Sequence, residues 1–412
     1  MTFLRDPRFA TLALLCVGVA ACGGGSTIGG SGSSSTSTGT TTPSGSNVAS
    51  VAVTSGPSND SVNTLFTSVT VCVPGTSSCQ TIDNIQIDTG SYGLRLLSGA
   101  LTLTLPVSKT ATGSALVECT EFVDGYSWGP LAQVDLTIAG ETASSVAVQL
   151  IGDARYPVVP SDCSSAAPMS EDTVATFGAN GILGIGPFAQ DCGDFCAESI
   201  PEPAIYYACS TSSECTTTTV ATASQVQNPV ILFAKDNNGT IISLPSVATQ
   251  GASGVTGSLI FGIDTESNNQ SGTQTVVPIA TTGADAGFLG TTFMGQSLSM
   301  SFIDSGSNAL YFNDSNVTAC TNANFKSFYC PGTTESLSAT FELSGGMTAS
   351  ENFSVTDAET LSASFTAFPG LAGTNPQSMS FDWGLPFFYG RRVATAIQGY
   401  STSAGTGPYI AF

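Results

Sequence analysis

An all-β fold in two lobes with a cleft between them is predicted by three features of the sequence. Its 412 residues suffice for two lobes of roughly 150–200 residues each. Glycine occurs 45 times, serine and threonine are frequent, and many short Val/Ile/Leu/Phe runs lie between them, which is the look of short strands joined by turns. The third feature is a repeat: Ile85-Gln86-Ile87-Asp88-Thr89-Gly90-Ser91 returns as Ser301-Phe302-Ile303-Asp304-Ser305-Gly306-Ser307. Each copy is an alternating apolar strand that delivers an Asp, then a hydroxyl, a Gly and a second hydroxyl. This reads as one site built twice. Gly lets the chain turn and lets another backbone come close. The hydroxyls can hydrogen-bond carboxylates that would otherwise be buried and unpaired.

The composition removes several function classes. A net charge of −21 argues against nucleic acid and against anionic membrane surfaces as partners. The chain has no histidine, which removes Ser-His-Asp and Cys-His nucleophile systems and any His-ligated zinc. If the protein is a hydrolase, its acid and base come from carboxylates, Lys or Tyr. Lys109, Lys235 and Lys326 are scattered and sit in no motif. Neither a cofactor nor a metal is expected.

At the start, Arg5 and Arg8 precede an apolar run from Phe9 to Ala21, so residues 1–21 read as a signal peptide too short to span a membrane. Val19-Ala20-Ala21-Cys22 resembles the bacterial lipobox, which implies lipidation of Cys22 and cleavage before it. Gly23, not Asp, follows, so inner-membrane retention is not signalled. Residues 22–47, almost all Gly, Ser and Thr after the Cys, read as a flexible tether with an end-to-end distance on the order of 25–30 Å. The protein is thus expected to be exported and lipid-anchored to a bacterial outer membrane or cell surface, on its periplasmic or extracellular face. Apart from Cys16 and Cys22, the cysteines are even in number, which in an exported chain reads as five disulfides. Cys72 with Cys79 and Cys320 with Cys330 are the close pairs. Cys192 and Cys196, with Cys209 and Cys215 nearby, read as loop disulfides and not as a metal or redox motif.

The first lobe is assigned to residues 48–250. Phe66–Cys72, a turn at Pro74-Gly75, and Cys79–Ile87 form a hairpin feeding Asp88. The two Asp loops resemble the active-site loops of pepsin-like aspartic peptidases, in which each lobe supplies one Asp. The family usually carries Trp shortly after the first Asp, to support a flap; this chain has Arg95. Phe122-Val123-Asp124-Gly125-Tyr126-Ser127-Trp128-Gly129 resembles the flap hairpin, with Phe122 where the family has Tyr. Phe122, Tyr126 and Trp128 are the candidates to cover the cleft. Val134–Ile138, the Ala139-Gly140 turn and Val146–Ile151 are the next strands. Ala179-Asn180-Gly181-Ile182-Leu183-Gly184-Ile185-Gly186 closely resembles the segment that, in the family, passes under the first catalytic loop and locks it. Residues 187–228 read as an insertion.

The second lobe is assigned to residues 251–412. Pro229–Ala234 followed by Gly257–Asp264 resembles the family's lobe-crossing segment. Phe288–Phe293, a turn at Met294-Gly295-Gln296, and Ser297–Ile303 feed Asp304, and Leu337–Glu342 alternates as a strand. Trp383-Gly384 stands where the second lock belongs, with Asp382 in place of an apolar residue and Leu385 in place of the family's Asp. Arg391 and Arg392 are expected to pair with surface carboxylates. The resemblance spans roughly residues 63–412 and implies two β-barrel-like lobes, a monomer and a peptide or protein substrate. It further implies that Asp88 and Asp304 activate a bridging water as an aspartic endopeptidase does. Ser91 and Ser307 would donate to the outer carboxylate oxygens. Thr89 and Ser305, beside Gly90 and Gly306, would hold the two loops together. Phe122, Arg95 and the altered second lock leave open a binding or inhibitor-like lipoprotein of the same fold.

Overall fold

The computed structural model describes residues 44–412 apart from 166, 168 and 273. The signal peptide, Cys22 and the tether to residue 43 lie outside the described residues. The body begins inside the segment read as tether. Asn47 is 2% exposed, and its Nδ2 donates to Phe261 O at 2.9 Å. The amide caps the backbone carbonyl at the end of a central strand, which a Gly/Ser tether could not do.

In chain order the first strands are β1 (Val48–Val53), β2 (Leu65–Cys72), β3 (Cys79–Asp88), β4 (Tyr92–Leu97), β5 (Ala115–Glu121), β6 (Tyr126–Ile138), β7 (Glu141–Ile151) and β8 (Gly181–Ile185). β9 (Tyr206–Cys209) and β10 (Cys215–Thr217) follow, then β11 (Gly239–Ser243), β12 (Val255–Phe261) and β13 (Val276–Pro278). The second half has β14 (Leu289–Phe293), β15 (Gln296–Ile303), β16 (Leu310–Tyr311), β17 (Glu335–Glu342), β18 (Thr348–Val355), β19 (Ala372–Gly373) and β20 (Asp382–Trp383). β21 (Arg392–Ala396), β22 (Ser401–Thr402), β23 (Gly405–Thr406) and β24 (Tyr409–Ala411) complete it.

The chain is all-β and two-lobed, as expected. β2, β3, β8, β4, β7 and β6 are successive neighbours, and β6 returns to pair with β2, so the first lobe closes on itself as a barrel. The second lobe is the sheet ordered β18-β17-β14-β15-β20-β16-β19. The two repeat one topology. β3 pairs parallel with β8, which pairs antiparallel with β4. Likewise β15 pairs parallel with β20, which pairs antiparallel with β16. Residues 250 and 251, where a lobe boundary was placed, fall between β11 and β12, which are hydrogen-bonded neighbours. β12 also pairs along its length with β1, so this central sheet belongs to both halves.

Turn chemistry explains the hairpins. Met294 and Gly295 take φ of 52° and 77°, the left-handed pair a tight two-residue hairpin needs. Pro229–Leu232, at the start of the segment likened to a lobe crossing, is a 3₁₀ turn. Asn228 accepts from Val230 N, and the proline behind it, lacking an N–H, suits the first helical position. The inserted segment is not a free loop. Its β9 joins β5 and extends the sheet of the β5–β6 hairpin.

One continuous apolar core runs through both halves. In the second lobe it is aromatic: Trp383 stacks on Phe381 at 4.1 Å, and Phe341, Phe353 and Phe387 surround it. All ten cysteines of the body are paired, as Cys72–Cys79, Cys119–Cys163, Cys192–Cys196, Cys209–Cys215 and Cys320–Cys330. Five bridges fit an extracellular or periplasmic setting. Among the described residues no helix is long and apolar enough to cross a membrane.

Candidate active site

The two Asp loops meet, and the hydroxyl residues after each Asp join them. Thr89 Oγ1 donates to Ile303 O at 3.1 Å and accepts from Ser305 N at 2.9 Å. Ser305 Oγ donates to Ile87 O at 2.9 Å and accepts from Thr89 N at 3.1 Å. Each hydroxyl is used as donor and acceptor at once, so no polar group is stranded in a buried junction. Gln86 Nε2 adds a bond to Gly306 O at 3.0 Å.

This junction sets Asp88 and Asp304 side by side, each carboxyl against the Gly of the opposite loop. Gly90 N donates to Asp88 Oδ1 and Gly306 N to Asp304 Oδ1, both at 2.7 Å. The glycines are required by proximity and not by a positive φ. A Cβ on Gly90 would lie 2.8 Å from the Asp304 carboxyl, and one on Gly306 would lie 2.6 Å from Asp88 Oδ1. Burial, and then the neighbouring charge of Asp88, push the Asp304 carboxyl well above its ordinary range. Two adjacent carboxyls that cannot both ionise cheaply hold one proton between them.

Both expected locks lie behind their loops. Ile87 and Asp88 pair with Leu183 and Gly184, and Phe302 and Ile303 with Asp382 and Trp383. Trp383 O accepts from Asp304 N at 3.0 Å, and Ser307 O from Leu385 N at 2.7 Å. Trp383 Nε1 donates to Thr291 Oγ1 at 3.2 Å, which fixes the indole in the core. Asn180 stands apart from the site; its Nδ2 donates to Asp83 O at 2.8 Å.

The outer hydroxyls differ from the expectation in one lobe. Ser307 Oγ donates to Asp304 Oδ2 at 3.0 Å. Ser91 Oγ is buried without a hydrogen-bond partner, so it gives Asp88 no matching bond. The carboxyl pair is therefore asymmetric. A residue not assigned to the site completes the second loop. Asp382 is 6% exposed and pairs with Phe302 of the strand that delivers Asp304. Its signal in the sequence was a charged residue in an otherwise apolar lock.

The three cleft-cover candidates separate. Trp128 is 4% exposed and packs edge-on against Tyr207 at 5.1 Å, with Nε1 donating to Tyr156 O. It is a core residue beside the Cys119–Cys163 bridge, not a cover. Tyr126 packs on that same cluster. Phe122 lies edge-on to Phe177 at 6.1 Å within its own lobe. The tip itself is Val123-Asp124: Val123 is 69% exposed, and the Asp124 charge reaches Tyr311 of the second lobe. Glu171 anchors the tip by a hydrogen bond to Asp124, and burial with the Asp124 charge pushes its carboxyl up to about 10.

Arg95 ties β4 to the β5–β6 hairpin. At 1% exposure its guanidinium donates to both Glu118 oxygens, at 3.3 and 2.6 Å, to Thr120 Oγ1 at 2.8 Å and to Tyr92 O at 2.6 Å. Asp191 of the inserted segment lies 3.3 Å from Nη2 and accepts from the Tyr206 hydroxyl. An ionic network thus joins β4, the hairpin and the insertion. Arg391 pairs with Glu351 and covers the Phe387 ring at 4.5 Å, as expected of a structural arginine. Arg392 instead donates to Asn268 O at 3.2 Å. Beside the carboxyl pair is a mostly apolar cavity of about 80 Å³, lined by Gly90, Tyr92, Phe288, Met300 and Phe302 among others.

Among solved structures, the chain is similar to an aspartic proteinase from Irpex lacteus at 14% identity and a TM-score of 0.48, with 88% of this chain and 96% of that one covered. Likeness at that level does not speak to activity. No curated protein matches. A family model matches residues 43–412, and the chain belongs to that family, described as Protein of unknown function (DUF3443).

Proposed function

We propose that the protein is an exported, lipid-anchored aspartic endopeptidase. The observation that carries this reading is the adjacency of two Asp carboxyls, each held by its own Gly N–H and joined by a reciprocal hydroxyl junction. A pair sharing one proton can act as base and acid in one step. The ionised member takes a proton from a water between the carboxyls, and the oxygen of that water attacks the peptide carbonyl carbon. The neutral member gives its proton to the carbonyl oxygen. Collapse of the tetrahedral intermediate expels the amine, which takes the pair's proton, while a hydroxyl of the intermediate gives its proton to the pair as it becomes the product carboxyl, restoring the single shared proton. The apolar cavity beside Gly90 and Tyr92 suits a substrate side chain. Cys22 is the proposed lipid attachment point, and a monomer is the proposed state.

The test is digestion of an unfolded protein by the full chain from about pH 3 to about pH 7. Cleavage with an acidic optimum is expected. Asp88→Asn and Asp304→Asn should each abolish it, and the double variant should be hardly worse than either single one, because the pair acts as a unit. Absence of cleavage, or an Asp88→Asn variant as active as the parent, would overturn the reading.

One observation favours a second reading, a binding protein on the same scaffold. The partnerless Ser91 hydroxyl leaves Asp88 without the outer support expected of a working pair. Saturable binding of an uncleaved peptide to the cleft, unaffected by Asp88→Asn, would be its signature.

A further inference from the structure

We propose that Asn63 is a positioning residue for the Asp304 loop: its side-chain amide, supplied by the segment between β1 and β2, holds the carbonyl of Asn308 and so keeps the Ser307 hydroxyl on Asp304. This deepens the two-carboxyl reading and rests on it.

The amide is fully used. Asn63 is 0% exposed, and its backbone takes φ of 49°, a left-handed position that Asn tolerates better than most side chains. Nδ2 donates to Asn308 O at 2.8 Å and to Phe368 O at 2.9 Å. Oδ1 accepts from Phe368 N at 2.7 Å and from the Tyr389 hydroxyl at 2.8 Å. Two N–H groups and two lone pairs are all an amide has, so its partners fix its orientation. Asn63 N donates to Thr366 O at 2.7 Å, which fixes the backbone as well. A segment from the start of the body is thereby fastened to residues of the second half of the chain.

One of these attachments is on the Asp304 loop itself. Asn308 directly follows Ser307, whose hydroxyl donates to Asp304 Oδ2 at 3.0 Å and whose carbonyl accepts from Leu385 N at 2.7 Å. Leu385 holds the loop from within its own lobe, and Asn63 holds the next carbonyl from outside it. The first loop is held at the same two places. Ser91 O accepts from Gly186 N at 2.9 Å, and Tyr92 O accepts from Arg95 Nη1 at 2.6 Å. In both repeats, then, the carbonyl four residues after the Asp meets a buried side-chain N–H. Packing alone gives no reason for the same carbonyl to be chosen twice. A fixed Asn308 peptide keeps Ser307 in register with the carboxyl it serves, as local anchoring of a loop must.

The test separates positioning from stability. Asn63→Gly removes the amide and leaves the left-handed backbone unstrained. With Asn308 O released, the Ser307 bond weakens, so kcat should fall about 3- to 10-fold, one hydrogen bond's worth, with KM within about 2-fold of the parent. Tyr389→Phe removes a bond to Oδ1 and leaves both Nδ2 bonds. It should lower the unfolding midpoint while kcat stays within about 2-fold of the parent. Ser307→Ala should cost about 3- to 10-fold in the parent but under about 2-fold in Asn63→Gly, because both changes act on one bond. A donor to a carboxylate favours its ionised form, so the acidic limb of the pH–rate profile should move to higher pH in Asn63→Gly. A second measurement needs no activity. In infrared titration of the full chain, the carboxyl band that Asp304→Asn removes should ionise at higher pH in Asn63→Gly than in the parent or in Tyr389→Phe. Asn63→Asp keeps the shape but offers at most one proton to two carbonyls, and it stands in if the glycine variant does not fold. An unchanged kcat in the folded variant, an equal fall in Tyr389→Phe, strict additivity with Ser307→Ala, or failure of both Asn63 variants to fold overturns the proposal. If the parent cleaves nothing but the titration shifts as stated, the positioning role stands and the peptidase reading alone falls. An unmoved titration removes the role as well.

Discussion

Thr89→Val tests the junction between the two Asp loops independently of any catalytic role. Valine keeps the shape of threonine and removes only the hydroxyl, so no cavity opens. The lost oxygen closes two buried bonds, one to Ile303 O at 3.1 Å and one from Ser305 N at 2.9 Å. Each orphaned buried backbone group costs about 1–3 kcal/mol, so Thr89→Val should destabilise the body by about 2–6 kcal/mol. Thr89→Ser keeps both bonds and should lose only about 1 kcal/mol for one methyl. Ser305→Ala strands the other pair, Ile87 O and Thr89 N. Because all four bonds hold the same two loops, the double variant should be less destabilised than the sum of the singles by about 0.5–3 kcal/mol. The assay is urea unfolding at constant pH with the disulfides intact. A Thr89→Val midpoint equal to that of Thr89→Ser, or strict additivity in the double variant, would refute the reciprocal junction as the element joining the loops.

Arg95→Met should cost about 3–5 kcal/mol at neutral pH, because Glu118 would keep a buried charge with no counterion. Arg95→Lys should recover little of it, as an ammonium cannot bridge both Glu118 oxygens; thermal unfolding of both variants decides. Glu171 makes stability depend on pH in a stated direction. Its folded value of about 10 lies far above the roughly 4.3 of an unfolded chain, so between the two the folded state holds a proton that the unfolded state has released. Its contribution is complete below about pH 4 and is lost progressively as pH rises toward the folded value. Glu171→Gln cannot ionise and can still donate to Asp124. Isothermal denaturation should therefore find it more stable than the parent at about pH 8 and alike at about pH 4, and an equal pH dependence would remove the Glu171–Asp124 contact as its cause.

Local rules made much of this chain legible before any coordinates. Alternation fixed the strands that deliver Asp88 and Asp304, because a strand buried on one face must repeat every second residue. Turn residues placed the hairpins at Pro74-Gly75 and Met294-Gly295, and an even cysteine count implied the five bridges. The junction role of Thr89 and Ser305 came from the resemblance of the two loops to a known family and not from a local rule.

What only the tertiary structure decided concerns which of several possible partners each polar group met. Ser91 and Ser307 occupy matching places in the repeat, yet one hydroxyl is bonded and the other is not. The residue that pairing across the sheet sets beside each Asp strand also differs, Ile182 in one lobe and Asp382 in the other. Trp128 looked like a cleft residue until β9 of the insertion covered its face, and Arg95 looked like a missing support until Glu118 and Asp191 closed around it. Periodicity reports which side of a strand is buried. It carries no information on what buries it, because contacts between residues far apart in sequence are set by packing. The asymmetry of the two Asp loops is a property of those contacts and of the low dielectric they create around three neighbouring carboxyls.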